Sequence, residues 1–349
     1  MRKTVKTALF MTALSTIIGA SAFAASLPPL NSDTETDRIG WNELETKFGP
    51  FPAIKSGVRV GGVSKTLTNE YWRSLGDGYQ NVAKDKQVFL SYQAAANEGD
   101  QIGQLSIAET MIAQGYDALL LSPQTDANLQ PALEAAERKG IAVVNVNDAV
   151  MPPVAHYVGN VQKDNGVRVA KWFIENRKEG GKVAVIEGQP GVFAAKQRTE
   201  GFTETINQAG NFSVVASVPA NWSREQAYNA ASTILQRNPD LIGFYVNNDG
   251  MALGVVEAVK AANLQDKVAV FGTDGISDAY KSILAGELTG TVDSFPVLTG
   301  EVAMEVALRL QAGQKLPRVV ATPQALITKE NAQTYMTADR EQLRKILAE

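Results

Sequence analysis

The sequence of 349 residues lacks cysteine and contains one histidine, His156. Without cysteine the chain forms no disulfide and carries no lipoprotein acyl group, so core packing must stabilise the fold. A single histidine excludes a zinc site made of several histidine and cysteine ligands. It also leaves only His156 for a serine–histidine or cysteine–histidine catalytic set. Because His156 follows Pro152 and Pro153 between two predicted elements, we expect a structural role for it.

Nucleotide-binding motifs and an excess of positive charge are missing as well. Neither G-x-x-x-x-G-K-[ST] nor a strand-linked G-x-G-x-x-G occurs, so the sequence predicts no nucleotide or dinucleotide cofactor. No other pattern in it predicts a cofactor or a metal. The formal net charge is −4. A moderately acidic surface argues against nucleic acid or an anionic membrane as partner.

The N-terminal residues predict export from the cytoplasm. Arg2, Lys3 and Lys6 precede a mostly apolar run over residues 8–20, and Ala22-Phe23-Ala24 has the small-x-small pattern of a cleavage site. The run is shorter than the roughly 20 residues that a membrane span needs. We therefore predict a signal peptide over residues 1–24, cleaved after Ala24, and a mature protein that works in the periplasm without membrane insertion. Secretion into the medium is the alternative.

Residues 25–56 lack a clean periodicity and form a predicted N-terminal arm. Four apolar side chains stand out in it, Trp41, Leu44, Phe48 and Phe51. They predict that the arm packs onto the body of the protein. The alternative is an arm that docks on a partner.

From Val58 onward, segments of strand length alternate with segments of helix length. The predicted strands span residues 58–63, 88–92, 118–121, 142–146, 157–160, 182–186, 213–218, 241–246, 267–271, 288–292 and 319–327. Helices are predicted at residues 69–86, 100–114, 128–139, 163–176, 194–208, 224–236, 300–311 and 329–347, and after residue 250. This alternation predicts an α/β protein with two doubly wound parallel-sheet lobes, joined by a hinge of several crossing strands.

The predicted lobes are discontinuous in sequence. We expect the N-terminal lobe to comprise residues 57–160 and 294–318, and the C-terminal lobe residues 161–293 and 319–328. Residues 329–349 are predicted to form a surface helix at the C-terminus. A cleft between the two lobes would be the place for a ligand.

The junction after strand 241–246 has the most informative local sequence. Asn248, Asp249 and Gly250 stand between that strand and a helix with apolar residues at i, i+3, i+4 and i+7. We predict that Asp249 caps the helix, that Asn248 contacts a ligand, and that Gly250 lets the turn form close to the cleft. Ligands bind at the carboxyl ends of strands in open α/β sheets.

Other strand ends carry polar side chains of the same kinds. Candidate binding residues at or near them are Ser64, Lys65, Asn69, Asn147, Asp148, Arg198, Trp222, Asn248, Asp274 and Ser294, with Tyr71 and Trp72 beside the first group. Amides, carboxylates and a guanidinium bind neighbouring hydroxyls, and aromatic rings stack on a sugar face or bind a quaternary ammonium. The alternatives are structural, with Trp72 in the core and Arg198 paired to Glu200. Asp249 with Asp274 would be the carboxylate pair of a glycosidase.

At these residues the sequence resembles the periplasmic ribose-binding-protein family, the type I sugar-binding components of ABC transporters. The likeness covers about residues 57–328. Its most specific parts are residues 198–202 (RTEGF), 248–254 (NDGMALG) and 271–275 (FGTDG), and residues 69–72 (NEYW) are similar to the family's Asn-Pro-Phe-Phe. Repressors of the same fold would need an N-terminal DNA-binding motif where the signal peptide is predicted.

The resemblance implies roles for the candidate residues. Asn69, Tyr71 and Trp72 would contact the ligand from the first lobe, and Arg198, Trp222, Asn248 and Asp274 from the second. Tyr71 and Trp72 would stack on one side of the ligand and Trp222 on the other. Asn147-Asp148 replaces the family's Asp-Arg pair, Ser294 replaces a Gln, and Lys65 is added. These departures predict a different pentose, a hexose or a sugar alcohol in place of ribose.

The sequence thus predicts a non-enzymatic, monomeric solute receptor that closes on a monosaccharide or polyol and delivers it to a membrane ABC permease. The main alternative is a ligand-sensing partner of a membrane sensor kinase. Periplasmic sensors of trimethylamine N-oxide resemble this chain in fold, in an N-terminal extension with a tryptophan, as at Trp41, and in a Tyr-Trp pair, as at Tyr71-Trp72. An enzyme is the third possibility.

Overall fold

The computed structural model of the protein describes residues 27–347. The predicted signal peptide and the cleavage after Ala24 therefore lie outside the described residues. Within the described part of the chain, no helix combines the length and apolar character needed to cross a membrane.

Thirteen strands of the described chain form two β-sheets. Their bounds are β1 Arg38–Gly40, β2 Arg59–Ser64, β3 Phe89–Ala94, β4 Ala118–Leu121, β5 Ala142–Val146, β6 Tyr157–Gly159, β7 Gly181–Glu187, β8 Phe212–Pro219, β9 Leu241–Val246, β10 Ala269–Asp274, β11 Gly290–Asp293, β12 Val319–Ala321 and β13 Ala325–Thr328. The first sheet has the order β1-β12-β6-β5-β4-β2-β3 and all its strand pairs are parallel. The second has the order β13-β11-β10-β9-β7-β8, and only β13 runs antiparallel to its neighbour.

Helices cover both faces of the two sheets. Their bounds are α1 Leu44–Phe48, α2 Glu70–Asp85, α3 Gln101–Ala113, α4 Gln130–Arg138, α5 Gln162–Asn176, α6 Phe193–Gln208, α7 Arg224–Arg237, α8 Asp249–Ala261, α9 Ser277–Leu284, α10 Pro296–Gln311, α11 Ala332–Met336 and α12 Arg340–Ile346. We call the first sheet with α1–α4 and α10 the first lobe, and the second sheet with α5–α9 the second lobe. This is the predicted α/β architecture of two parallel-sheet lobes.

Central strands are apolar along their whole length because helices bury both faces of each sheet. All four residues of β4 are buried, and so are the last four residues of β9. Burying one such valine or leucine side chain contributes about 1.5 to 3 kcal/mol. The strands therefore fix the frame from which the loops at their carboxyl ends project.

Two glycines let α5 and α6 pack unusually close together. A Cβ at Gly166 of α5 would overlap the backbone of Arg198 and Phe202, and a Cβ at Gly201 of α6 would overlap the carbonyl of Lys163. Side chains of any size would push the helices apart. The first turn of α5 and the Arg198 segment of α6 are thereby held in a fixed relation.

The chain passes between the lobes at three places. These are the segment after Gly159, the segment after Asp293, and the turn between β12 and β13. One predicted boundary is wrong, because β12, assigned to the C-terminal lobe from the sequence, pairs with β1 and β6 of the first sheet. Pro323 follows β12, and it interrupts the extended run that the sequence suggested was one strand.

The C-terminal residues form two short helices in place of the single predicted surface helix. The break lies between α11 and α12, where Asp339 accepts a hydrogen bond from the Gln342 amide and starts a new helix. Arg340 of α12 forms an ion pair with Glu305 of α10, 2.7 Å apart. The guanidinium of Arg344 lies 5.4 Å from the Trp41 ring centre. The described chain thus ends against the first lobe.

The N-terminal arm is part of the first lobe. Its strand β1 pairs with β12, and Trp41 and Leu44 are buried, while Phe48 and Phe51 pack partly buried against the core. The packing expected from these four residues is what the structure shows. His156 contacts the Pro317 carbonyl, with Nδ1 3.3 Å from the oxygen, consistent with the structural role predicted for it.

Candidate functional site

A small cavity lies between the carboxyl ends of the two sheets. Its lining residues are Asn69, Tyr71, Trp72, Glu98, Asp148, Arg198, Trp222, Asn248 and Asp274. Eight of them were predicted from the sequence. A wider groove of about 390 Å³ lies between α2, α10 and the C-terminal helices, but charged and aromatic side chains of both lobes converge in the smaller cavity.

The first lobe supplies one aromatic wall. Asn69 caps α2 by accepting a hydrogen bond from the Tyr71 amide, 3.0 Å away, and this cap fixes the first turn of the helix at the end of β2. Tyr71 and Trp72 follow at once, with their rings edge to face and the centroids 4.9 Å apart. Trp72 donates its indole N–H to Glu98 Oε1 over 3.2 Å. The cap therefore places both rings at the cavity.

The second lobe supplies the opposite aromatic wall. Asn221 and Trp222 both have left-handed backbone angles, with φ of 51° and 62°, an uncommon conformation that turns the Trp222 side chain towards the cavity. The indole ring lies directly on Gly188, where a Cβ would overlap it. Its Nε1 is buried and makes no hydrogen bond within the described chain. A buried N–H of this kind can donate a hydrogen bond to a ligand.

Arg198 and Asp274 form the charged centre of the second-lobe wall. Arg198 is fully buried; its Nη1 donates to the Asn247 carbonyl over 2.6 Å and lies 3.6 Å from Asp274 Oδ1. Burial raises the pKa of Asp274 well above its usual value, and the Arg198 charge opposes that shift. Arg198 faces the cavity and not Glu200, so the structural alternative for this residue is wrong. A guanidinium and a carboxyl at this spacing bind adjacent hydroxyls.

Asn248 and not Asp249 caps α8. The Asn248 Oδ1 accepts a hydrogen bond from the Met251 amide over 2.9 Å, and the same side chain lines the cavity. The Asp249 carboxylate accepts bonds from the amides of Gly275 and Ile276 and from the Thr291 hydroxyl. Burial raises the pKa of Asp249 to about 6. The predicted helix-cap role of Asp249 is therefore wrong, because its carboxylate orders the turn after β10.

Two further sequence interpretations fail at this junction. Asp249 is not among the cavity-lining residues, and its bonds to Gly275 and Ile276 occupy the carboxylate, so Asp249 and Asp274 do not flank a ligand as a glycosidase pair would. Gly250 lies inside α8 with an ordinary φ, and a Cβ there would meet only Asn248 at 3.8 Å. The turn therefore does not require glycine at this position.

Lys65 and Asp148 form an ion pair beside the cavity. Lys65 Nζ lies 2.7 Å from Asp148 Oδ1, although the angle between them does not suit a hydrogen bond. The ammonium is also 5.7 Å from the ring centres of both Trp72 and Trp222. It thus stands between the aromatic walls of the two lobes, where cation–π attraction adds to the ion pair. Lys65 is buried, and its remaining donors can turn to a ligand.

Three of the predicted residues stand behind the cavity wall. Ser64 is fully buried at the end of β2. Asn147 donates to the Tyr71 hydroxyl over 2.5 Å, and Ser294 donates to the Asp274 carbonyl over 3.3 Å. The structure therefore brings all three next to lining residues without placing them on the lining. Direct ligand contact by these three is not supported by their positions.

The sequence reasoning missed Glu98 and Gln162. Glu98 lies in the loop after β3, so the end of a strand precedes it as it does other lining residues. Burial raises the pKa of Glu98 above its usual value. Gln162 begins a helix and follows no recognisable motif. Its amide accepts from Arg198 Nε over 2.9 Å and donates to Asn147 over 2.6 Å. Nothing in the local sequence marks that position.

Comparison with known proteins gives concordant matches. A family model described as a periplasmic binding protein domain matches residues 60–315. The D-allose-binding periplasmic protein of Escherichia coli K12 is 35% identical over 263 residues, covering 73% of this chain and 85% of that protein. The D-ribose/D-allose-binding protein of Pseudomonas aeruginosa is 33% identical over 301 residues, covering 81% and 94%. A solved ABC transporter periplasmic solute binding protein from Actinobacillus succinogenes, with bound D-allose, has a TM-score of 0.77 and 33% identity, covering 80% of this chain and 100% of that chain.

Proposed function

Because this chain belongs to the periplasmic binding protein domain family, whose matching members are sugar-binding proteins of ABC importers and not enzymes, we propose that it binds one monosaccharide or sugar alcohol between its lobes. The exported chain, cleaved after Ala24, would act in the periplasm as a monomer. It would present the closed, loaded form to a membrane ABC permease.

One observation carries this proposal: aromatic rings of both lobes face a small cavity that is ringed by charged and amide side chains. Trp72 and Trp222 offer flat apolar faces to the two sides of a sugar ring. Asn248, Arg198 and Asp274 would hold hydroxyls at its edge with charge-assisted hydrogen bonds. Such a set recognises several adjacent hydroxyls and makes no covalent bond.

The first-lobe charges bear on which solute fits. Lys65 and Asp148 lie on the same side of the cavity, and Glu98 brings a further carboxylate. Together they would bind hydroxyls opposite those held by Arg198 and Asp274, so a solute with hydroxyls all around its ring is favoured. Two relatives are named for D-allose, which makes an aldohexose the first candidate and D-ribose or a cyclic polyol the next.

Closure follows from where the ligand contacts lie. Residues of both lobes would bind the same small molecule, so the solute favours the arrangement in which the lobes meet. Only contacts that exist in the closed form contribute to this shift. The three chain passages between the lobes give the hinge about which they would move.

Purified mature protein should be stabilised against heat by one or a few members of a panel of D-allose, D-ribose, other hexoses, glycerol and myo-inositol. Ligand at 100 times its Kd adds about 2.7 kcal/mol to the free energy of unfolding. Melting curves across the panel, followed by calorimetry, would measure this. Absence of stabilisation by every sugar and polyol would contradict the proposal.

Trimethylamine N-oxide belongs in the same panel as a control. The sensor-kinase alternative is not supported by the three proteins compared above, which are named for sugar binding or for ABC transport. The aromatic residues that suggested it, Tyr71 and Trp72, line a cavity that also holds three carboxyls and a guanidinium. These charged groups suit a ligand with several hydroxyls. A methylated amine N-oxide has only one oxygen to bind.

The contact between Trp222 and Gly188 gives a sharper prediction. Gly188→Ala should weaken binding of the best panel sugar about tenfold, because the added methyl overlaps the indole and overpacking of this kind costs about 1 to 3 kcal/mol. Gly250→Ala is the matched control, since its Cβ would make only ordinary van der Waals contact, at 3.8 Å from Asn248. Calorimetry should show a loss for the first variant only. Equal affinities in the two variants would mean that the Trp222 wall does not contact the sugar.

A further inference from the structure

The N-terminal arm reaches across the hinge to the first turn of α5. Asp33 accepts hydrogen bonds from the amides of Gln162, 2.9 Å from Oδ1, and Lys163, 2.7 Å from Oδ2. The residue before the helix is Val161, whose side chain provides no cap. Asp33 thus supplies, from a distant part of the sequence, the carboxylate that satisfies the free amides at the start of this helix.

Contacts on both sides of Asp33 attach the arm to the first lobe. The Leu30 amide donates to the Pro152 carbonyl over 2.7 Å, and Glu35 forms an ion pair with Arg318 at 3.2 Å. The arm is therefore held by one lobe while its carboxylate caps a helix of the other. Arm and hinge form one structural unit at this place.

The Gln162 side chain connects the two walls of the cavity. It is fully buried. Its Oε1 accepts from Arg198 Nε over 2.9 Å, and its Nε2 donates to Asn147 Oδ1 over 2.6 Å and to Asn160 Oδ1 over 2.8 Å. Asn147 in turn donates to the Tyr71 hydroxyl. One amide thereby joins a ligand-facing ring of the first lobe to the guanidinium of the second.

We propose that Asp33 and Gln162 are positioning residues for solute binding: the arm carboxylate fixes the start of α5, and the Gln162 amide then holds Arg198 and Tyr71 in their binding arrangement. Neither residue lines the cavity. The expected effect on sugar affinity rests on the proposed function. The effect of Asp33 and Gln162 on the Arg198 side chain does not, because it is present in the ligand-free protein. It also makes the arm necessary for binding, in contrast to a detachable docking segment.

The test compares Gln162→Met with Gln101→Met in the full mature protein. Gln101 is the first residue of α3, as Gln162 is of α5, but its side chain is exposed. Gln162→Met should weaken D-allose and D-ribose binding tenfold or more, because it leaves buried polar groups without partners. It should also speed solvent exchange of the Arg198 Nε–H, followed by NMR in the ligand-free protein and assigned by its loss in Arg198→Met. Gln101→Met should change neither quantity.

Asp33 is tested in the same way against a second helix cap. Asp100 caps α3 through the Gly103 amide at 2.9 Å, in the first lobe. Asp33→Ala and Asp100→Ala should lower the melting temperature by similar amounts, whereas only Asp33→Ala should weaken sugar binding, several-fold, and speed the Arg198 exchange. Asp33→Asn keeps an acceptor for one amide, so it should weaken sugar binding and speed the Arg198 exchange less than Asp33→Ala does.

Several results would overturn the positioning role. Unchanged Arg198 exchange in both Gln162→Met and Asp33→Ala would do so, and so would equal losses in the matched controls. If Gln162→Met does not fold, Gln162→Glu replaces it. The glutamate keeps an acceptor for Arg198 but loses the donor to Asn147. A protected Arg198 Nε–H together with weakened sugar binding would then support the proposal, and full affinity would contradict it. If no sugar binds wild-type protein, the proposed function fails, while the exchange measurement still decides the positioning.

Discussion

Arg198→Met should reduce affinity for the preferred sugar by about 2 to 5 kcal/mol, or roughly 30- to 5,000-fold in Kd. The substitution keeps an unbranched apolar stem but removes the buried guanidinium charge that would bind ligand hydroxyls. It also leaves the Asp274 carboxyl, 3.6 Å away, without its cation. Titration calorimetry with the panel sugar that best stabilises wild-type protein measures the loss.

Arg224→Met is the matched control for this experiment. Arg224 also pairs with a carboxylate, Glu257, but both side chains are about half exposed. Surface ion pairs of this kind contribute about 0 to 1 kcal/mol, so binding should be unchanged. Arg198→Met protein that melts cooperatively and still binds the sugar within threefold of wild type would show that the guanidinium does not hold the ligand.

The free energy of unfolding of Asp293→Asn should increase relative to that of wild type as the pH rises from about 4 to 8. Burial raises the pKa of Asp293 to about 7, opposed by hydrogen bonds from Tyr280 and from the Phe295 amide. Between the unfolded value of 3.8 and about 7, the folded state keeps a proton that the unfolded chain has released. The free energy of unfolding therefore falls as the pH rises through this window.

Asparagine mimics the protonated carboxyl and is insensitive to pH. The stability difference between Asp293→Asn and wild type should thus grow by at most about 4 kcal/mol across the window, at about 1.36 kcal/mol per pH unit. Urea unfolding at several pH values measures it, with Asp278→Asn as the control because that carboxylate is exposed on α9. A difference that stays constant with pH would show that Asp293 is ionised throughout. The raised pKa of Asp249 acts in the same direction.

The sequence was informative about where functional side chains lie and less so about which way they point. Strand ends located the cavity because parallel strands place their carboxyl ends at one edge of the sheet. At the Asn248-Asp249 junction the helix cap is Asn248 and not the predicted Asp249, because capping depends on backbone angles that residue types alone do not determine. Ser64 and Asn147 lie at the predicted edge of the sheet but stand behind the residues that line the cavity.

Long-range pairing accounts for the remaining errors. Residues 319–321 read correctly as extended, yet nothing local says which sheet an extended segment joins. Gln162 and Asp33 contribute to the site through a helix cap formed between residues far apart in sequence. Glu98 differs from these, since it follows a strand and its position is therefore predictable from the local sequence. The binding roles of the lining residues remain predictions that the substitutions above test.

Both ends of the described chain rest on the same lobe, and this matters for the design of a sensor. The arm is tied into the first sheet through β1, and α12 lies against Trp41 and α10. Fluorescent domains fused to the two termini would move together with the first lobe, so the distance between them would change little when the lobes close. A label on the exposed turn at Gly210, in the second lobe, paired with one terminal fusion, would convert closure into a change of distance.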